Sequence, residues 1–414
     1  MHYKGTKKSL PEIASDLQVD VVVEGTVQRA GDRVRIRAQL VRAATEQPLW
    51  RESYERNVND VLELQSEIAR TIARAIQTPL TPAEQTRLTD KRAVNRQAYD
   101  DYLQGRYLYW NKRTLQNLEK ARGYFQRAIK EDPTYVLAYV GLADCYNSFS
   151  SIMYSALPPI EARRQAEEAA RKALEFDSQL AEAHATLGYV NHYNWNWDES
   201  EREFKRAIEL NANYANAHSH YAKYLVTRGD REKAVSEADR ARELDPLSLA
   251  ISVDRGHVLL LAHRYTDAIE QLHRVIAMDP NHYSAYWFLN QAYAANGQLE
   301  EAITTAEKAV TLSHREPGTL GSLGKVYALA GRKDDANKIL NELLELNRRR
   351  YVTPVAMVSV YIGLGDKDQA FVWLEKAFQE RSNMIVLLKV LPNPDSFRSD
   401  PRFADLLRRV GLAP

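Results

Sequence analysis

The 414-residue chain carries 56 Lys/Arg against 55 Asp/Glu, a formal net charge of +1, with 44% hydrophobic and 27% charged residues. So even a balance gives no charge argument for a nucleic acid, a membrane surface or an acidic substrate, and no run of about 18 apolar residues suggests a membrane-spanning helix. A single cysteine, Cys145, rules out an intrachain disulfide and a thiolate metal cluster and fits a reducing compartment. No charged-then-apolar leader opens the sequence, so a cytoplasmic location is expected. An upstream span would instead make it membrane-associated or periplasmic.

The first segment, "SLPEIASDL", predicts a short helix. "VVVEGTVQRAGDRVRIRAQLV" (21–41) predicts two strands around a tight turn, with Val21, Val23, Gly25 and Val27 on one face and Val34, Ile36, Ala38 and Leu40 on the matching one. Arg33, Arg35 and Arg37 alternate with the apolar set and read as a solvated outer face. A third strand, "PLWRESYERN", leads to the helix "NDVLELQSEIARTIARAI", whose apolar face is Val61, Leu64, Ile68, Ile72 and Ala75. These elements form a small α/β domain, 1–77. A connector with Pro79 and Pro82 fills 78–97.

From residue 98 the pattern changes to a fixed period. Gly229, Gly297, Gly331 and Gly365 lie in one register at multiples of 34 residues, with His263 at the missing step. Ala234, Ala268, Ala302, Ala336 and Ala370 keep the same interval, and "ELDP" (243–246) returns as "AMDP" (277–280). This period and pattern are the tetratricopeptide signature. Glycine accepts the left-handed conformation that ends the first helix, alanine permits a close helix crossing, and Asp-Pro closes the second helix. The expectation is a mainly α fold: a right-handed tetratricopeptide superhelix of about eight helix pairs over 98–395, preceded by the small, incomplete α/β domain. "YNWNWDES" puts Trp195 at a glycine step, where Trp195 and Trp197 are expected to pack across the turn. "RSDPRFADLLRR" predicts a C-terminal capping helix in 396–414, with Asp400 as its cap and Phe403, Leu406, Leu407 and Val410 facing inward.

Residues 3–73 ("YKGTKKSLPEIASDL" through "QSEIARTIA") closely resemble the TolB-like α/β domain found before tetratricopeptide arrays in bacterial signalling proteins. "WNKRT", "LAYVGLADCY" and "WNWDESEREFKRAIELN" extend the resemblance into the array. It implies a non-catalytic module of the kind that follows a winged-helix, Ser/Thr kinase or adenylyl cyclase domain. The resembling domain normally has an earlier strand and helix. An open sheet edge is therefore expected, leaving the domain either poorly stable or completed by another chain, such as a second copy in a homodimer.

No catalytic, cofactor or metal site is expected. "GDRVRIR" reads as a hairpin turn, "GSLGK" (321–325) falls inside a repeat helix, and Cys145 reads as a packed thiol. His218 and His220 are two apart on a helix, His184 and His192 eight apart, and the remaining histidines are scattered, so no chelating pair forms. "ELNRRRY" (345–351) reads as a helix end. The expected partner is a protein or peptide in the concave groove, lined by the first helix of each pair. The candidates there are His220, Lys223, Asp254, His257, Trp287, Gln291 and Lys325, with Trp287 as the main anchor.

Overall fold

The structure, a computed structural model, describes residues 8–17, 19–57, 61–76, 95–111, 114–151, 153 and 156–412. The connector, including Pro79 and Pro82, lies outside the described residues apart from its last few positions. The chain divides into two compact units, Met1–Arg96 and Gln97–Pro414.

In the first unit, α1 (Leu10–Leu17) precedes β1 (Val21–Ala30), β2 (Arg33–Arg42) and β3 (Gln47–Asn57), and α2 (Val61–Ala75) follows. The strands form an antiparallel sheet in the order β1-β2-β3. Its register runs from Val21 opposite Arg42 to Ala30 opposite Arg33, and the β2–β3 register shifts between Leu40 and Val41, next to Pro48 on the edge strand β3. Val34, Ala38, Leu40 and Tyr54 are buried, as is Leu64 of α2. The arginines of β2 lie on the open face, where Arg33 and Arg35 both reach Glu55 at 3.1 and 3.0 Å. One expectation needs correcting. The alternation in β1 does not mark a covered face: Val23 is 50% and Val27 70% exposed, because β1 is an edge strand and the burial of this sheet is concentrated on β2.

The second unit consists of eight antiparallel helix pairs. They are α3 (Arg96–Asn111) with α4 (Leu115–Glu131), α5 (Val136–Phe149) with α6 (Pro159–Phe176), α7 (Ala181–Tyr193) with α8 (Trp197–Leu210), and α9 (Ala215–Arg228) with α10 (Arg231–Leu244). Then come α11 (Leu249–Leu261) with α12 (Tyr265–Met278), α13 (Tyr283–Ala295) with α14 (Leu299–Leu312), α15 (Pro317–Leu329) with α16 (Lys333–Arg349), and α17 (Pro354–Leu364) with α18 (Lys367–Gln379). From α4 onward each helix packs on the next, and each first helix also touches the first helix of the following pair from α5 onward. The residue types do what their spacing requires. Gly229, Gly297, Gly331 and Gly365 sit at φ of 78–95° where first helices end. The five register alanines are completely buried. Asp245 and Asp279, each followed by proline, cap α10 and α12. Two other side chains adopt the left-handed turn without glycine, Trp195 at φ 68° and His263 at φ 64°.

Beyond α18 the chain turns sharply at Arg381 (φ 50°), makes a short 3-10 turn at Ile385–Leu387, and ends in α19 (Asp395–Arg398) and α20 (Pro401–Val410). Asp400 caps α20 by accepting from the Arg402 amide, and Phe403, Leu406 and Val410 join the core of the last two pairs. The stretch before α19 returns along the inner side of the array. Val386, Leu387 and Val390 pack in one core with Leu225, Leu259 and Leu260 of α9 and α11.

Candidate functional site

The first helices from α7 to α17 converge on one cavity of about 170 Å³. Every α-helical residue lining it belongs to a first helix, which identifies this surface as the inner face of the array. Asn383, Met384, Leu387, Leu391 and Asn393 close its other side, so the chain's own C-terminal segment lies across the groove.

Six of the seven expected groove residues meet here: Lys223, Asp254, His257, Trp287, Gln291 and Lys325. His220 does not line the cavity; its ring lies 5.2 Å from that of Tyr189. The six are less available than their spacing suggests. Lys223 Nζ is 2.7 Å from Asp254, which also accepts from Ser219 Oγ at 3.0 Å. His257 stacks on Phe288 at 4.2 Å, and burial followed by the Lys223 charge depresses its pKa to about 3. Trp287 is 6% exposed and packs with Phe288, Leu289 and Val253, so it is a core residue with one edge on the cavity rather than a free anchor. Lys325 has no ionic or hydrogen-bonding partner among the described residues, and burial pulls its ammonium pKa down to about 8.

The C-terminal segment is held mainly by Arg163 of α6, which is fully buried. Its Nε donates to Asn194 Oδ1 at 2.9 Å, Nη1 to Asn383 Oδ1 at 2.7 Å and Nη2 to the Arg381 carbonyl at 2.7 Å. Among the described residues no carboxylate partners it, and burial lowers its pKa to about 10. Arg381 in turn donates to the Asn194 carbonyl and lies 4.5 Å above the Trp195 ring. His263 Nε2 donates to the Val390 carbonyl at 3.0 Å. Trp197 packs across the turn as expected, 5.9 Å from the His192 ring, and both tryptophans make further contacts beyond it. Trp195 packs at a tilt against Phe378 of α18, ring centroids 4.9 Å apart, and Trp197 Nε1 donates to the Val410 carbonyl at 2.9 Å. They tie the third pair to the end of the array. Gly411, at φ 75°, fits here because a Cβ would come within 2.9 Å of Trp197 Nε1.

The sequence reading missed Arg163, Asn194 and the segment 381–393. A signal was present in "SNMIVLLKVLPN": the 34-residue register stops after α18, yet an apolar run follows that is too short for a helix pair and too apolar to face water.

Histidines elsewhere serve the packing. His184 lies 2.6 Å from Glu203 and 3.2 Å from the Ser178 carbonyl, and the carboxylate raises its pKa. His218, one repeat on, makes the same pair of contacts with Glu237 and the Ala212 carbonyl. Among the described residues no group of three or more His, Cys, Asp or Glu is placed to hold a metal, and no helix is long and apolar enough to cross a membrane. Cys145 is buried within α5.

A family profile described as "Tetratricopeptide repeat" matches residues 253–317. A putative adenylate cyclase 3 of Rhizobium meliloti is 31% identical over 200 residues, which are 48% of this chain and 34% of that protein. The TPR repeat-containing protein YpiA of Bacillus subtilis is 25% identical over 194 residues, 46% of this chain and 43% of that protein. The chain thus spans well under two thirds of these relatives. Among solved structures, the APC/C hetero-tetramer Cut9-Hcn1 superposes with a TM-score of 0.52 at 15% identity, over 79% of this chain and 59% of that one, which bears on the fold alone. The repeat register, the eight helix pairs and the matched profile agree: the chain is a tetratricopeptide-repeat protein with a small N-terminal β-sheet domain.

Proposed function

We propose that this chain is a non-catalytic recognition module that holds an extended peptide segment of a partner protein against the inner face of α7–α17. Tetratricopeptide arrays generally bind proteins or peptides in this groove. The observation that carries the proposal is the groove's present occupant. Segment 382–393 is gripped by its backbone carbonyl at Val390, by its Asn383 side chain, and by apolar side chains set between α9 and α11. This is how a peptide from another chain would be bound. An external partner would compete with the segment, which its covalent tether favours through a high effective concentration.

The test uses the full chain with Val386→Asp/Val390→Asp, which sets carboxylates where the groove is apolar and ejects the segment. A fluorescent peptide SNMIVLLKVLPN should bind this variant saturably and bind the wild-type chain at least about tenfold more weakly. A peptide carrying the same two aspartates should not compete. Equal binding of both peptides, or none, would remove the reading.

A second reading follows from the 31% identity to the putative adenylate cyclase 3. On it, the chain is the regulatory portion of a longer cyclase, kinase or transcriptional regulator. A catalytic or DNA-binding domain in the genomic frame upstream of Met1 would support it, and an in-frame stop there would end it.

A further inference from the structure

The cavity beneath the C-terminal segment has a composition that a peptide-holding groove does not need. Its charged lining residues are Lys223, Asp254 and Lys325. The first two neutralise each other at 2.7 Å. His257 is neutral at ordinary pH. That leaves Lys325, a half-buried cation of the cavity wall, with no compensating partner among the described residues. Two further lining groups are buried donors without an acceptor among the described residues: Trp287 Nε1 on α13 and Asn393 Nδ2 on the closing segment. A buried donor left unpaired is costly, and an unpaired ammonium costs more. Such an arrangement becomes favourable when an acceptor-rich anion enters. The remaining walls are mixed: Tyr193, Phe288, Met384, Leu387 and Ile362 give an apolar part, and Gln291, Ser322, Thr353, Ser359 and Asn383 add polar groups. A volume of about 170 Å³ is close to that of an engineered cavity of roughly 150 Å³ that accommodates benzene.

We infer that this cavity is a binding site for a small organic monoanion, a ring-sized carboxylic acid whose carboxylate meets Lys325 and the Trp287 and Asn393 donors while its body lies against the apolar part of the wall. Because Asn393 and Leu387 belong to the C-terminal segment while Trp287 and Lys325 belong to α13 and α15, such a ligand bridges segment and groove. It thereby stabilises the closed arrangement. This inference does not rest on the peptide reading, since the ligand lies beneath the segment rather than in its place.

The test titrates the full-length protein with benzoate, the neutral isostere benzamide and formate. Calorimetry gives the affinities, and the Trp287 indole N–H resonance, assigned with Trp287→Phe, reports the contact. Benzoate should bind at least about tenfold more tightly than benzamide, the difference a charge-assisted hydrogen bond supplies, and should move the indole proton downfield. Lys325→Met should abolish the preference while leaving the melting temperature unchanged or higher, because it removes an unpaired, half-buried charge. Lys325→Gln serves the same comparison if the methionine variant does not fold. Equal affinity for benzoate and benzamide, an unmoved Trp287 resonance, or formate binding as tightly as benzoate would each overturn the assignment.

Discussion

Arg163→Ala is expected to destabilise the repeat unit by about 3–5 kcal/mol, the range for breaking a buried, hydrogen-bonded charge site. The wild-type guanidinium donates to three neutral oxygens on two segments, Asn194 and Arg381–Asn383, the latter about 220 residues further along the chain. Removing it leaves the buried Asn383 oxygen and the part-buried Asn194 oxygen and Arg381 carbonyl without this donor, and it leaves a void where the aliphatic stem packed. The loss is smaller than three separate bonds because the desolvation cost of the buried cation is recovered. Arg163→Met, which keeps most of the volume, should therefore lose less than Arg163→Ala. A urea titration of the full chain checks both. A loss below about 1 kcal/mol for Arg163→Ala would mean that the segment is not held by this residue.

Acid should destabilise the array well before its carboxylates protonate. His192 is fully buried, stacked on Tyr193 at 4.4 Å, and its Nε2 lies 3.2 Å from Thr227 Oγ1. The Thr227 hydroxyl already donates to the Lys223 carbonyl, so His192 Nε2 carries the proton and Nδ1 holds an unpartnered lone pair. Burial, reinforced by the charge of Lys223, lowers its pKa to about 3, and His257 is lowered to about 3 for the same reasons. Unfolded histidine takes up its proton near pH 6.5. Between these values the unfolded chain binds protons that the folded chain refuses. The stability from each histidine is therefore present above pH 6.5 and is lost as pH falls from 6.5 to 3, at up to about 1.4 kcal/mol per pH unit per group. Glu316 and Glu380, whose pKa values burial raises, work in the opposite direction. The comparison is thus between wild type and His192→Gln/His257→Gln. The variant should show a shallower fall in stability between pH 6.5 and 5. Identical slopes would contradict the buried neutral imidazoles.

The helical array was legible because its signals are local and repeated. Gly229, Ala234 and Asp245-Pro246 each fix a backbone feature within one helix pair, and their recurrence fixes the stacking. Six groove residues were legible by the same logic, since the first-helix register carries them all to one face. The closing segment was not, because Arg163–Asn383 and Trp197–Val410 join positions more than 200 residues apart with no periodic counterpart. His220 and Trp287 show the finer limit. Register places both on first helices, yet neighbouring aromatic rings decide that one stands beside Tyr189 and the other is buried against Phe288. In β1, period-two alternation was read correctly as strand, but alternation alone does not tell which strand of a sheet is covered.

Amide hydrogen exchange on the full-length chain is the most direct measurement of the arrangement from which the functional reading follows. The amides of Leu387 and Val390 close local turns to Met384 and Leu387 and lie under buried side chains of α9 and α11. They should exchange as slowly as the interior amides of those two helices, and Val386→Asp/Val390→Asp should release them while α9 and α11 stay protected. Rapid exchange throughout 382–393 in the wild-type protein would show an empty groove and contradict the account.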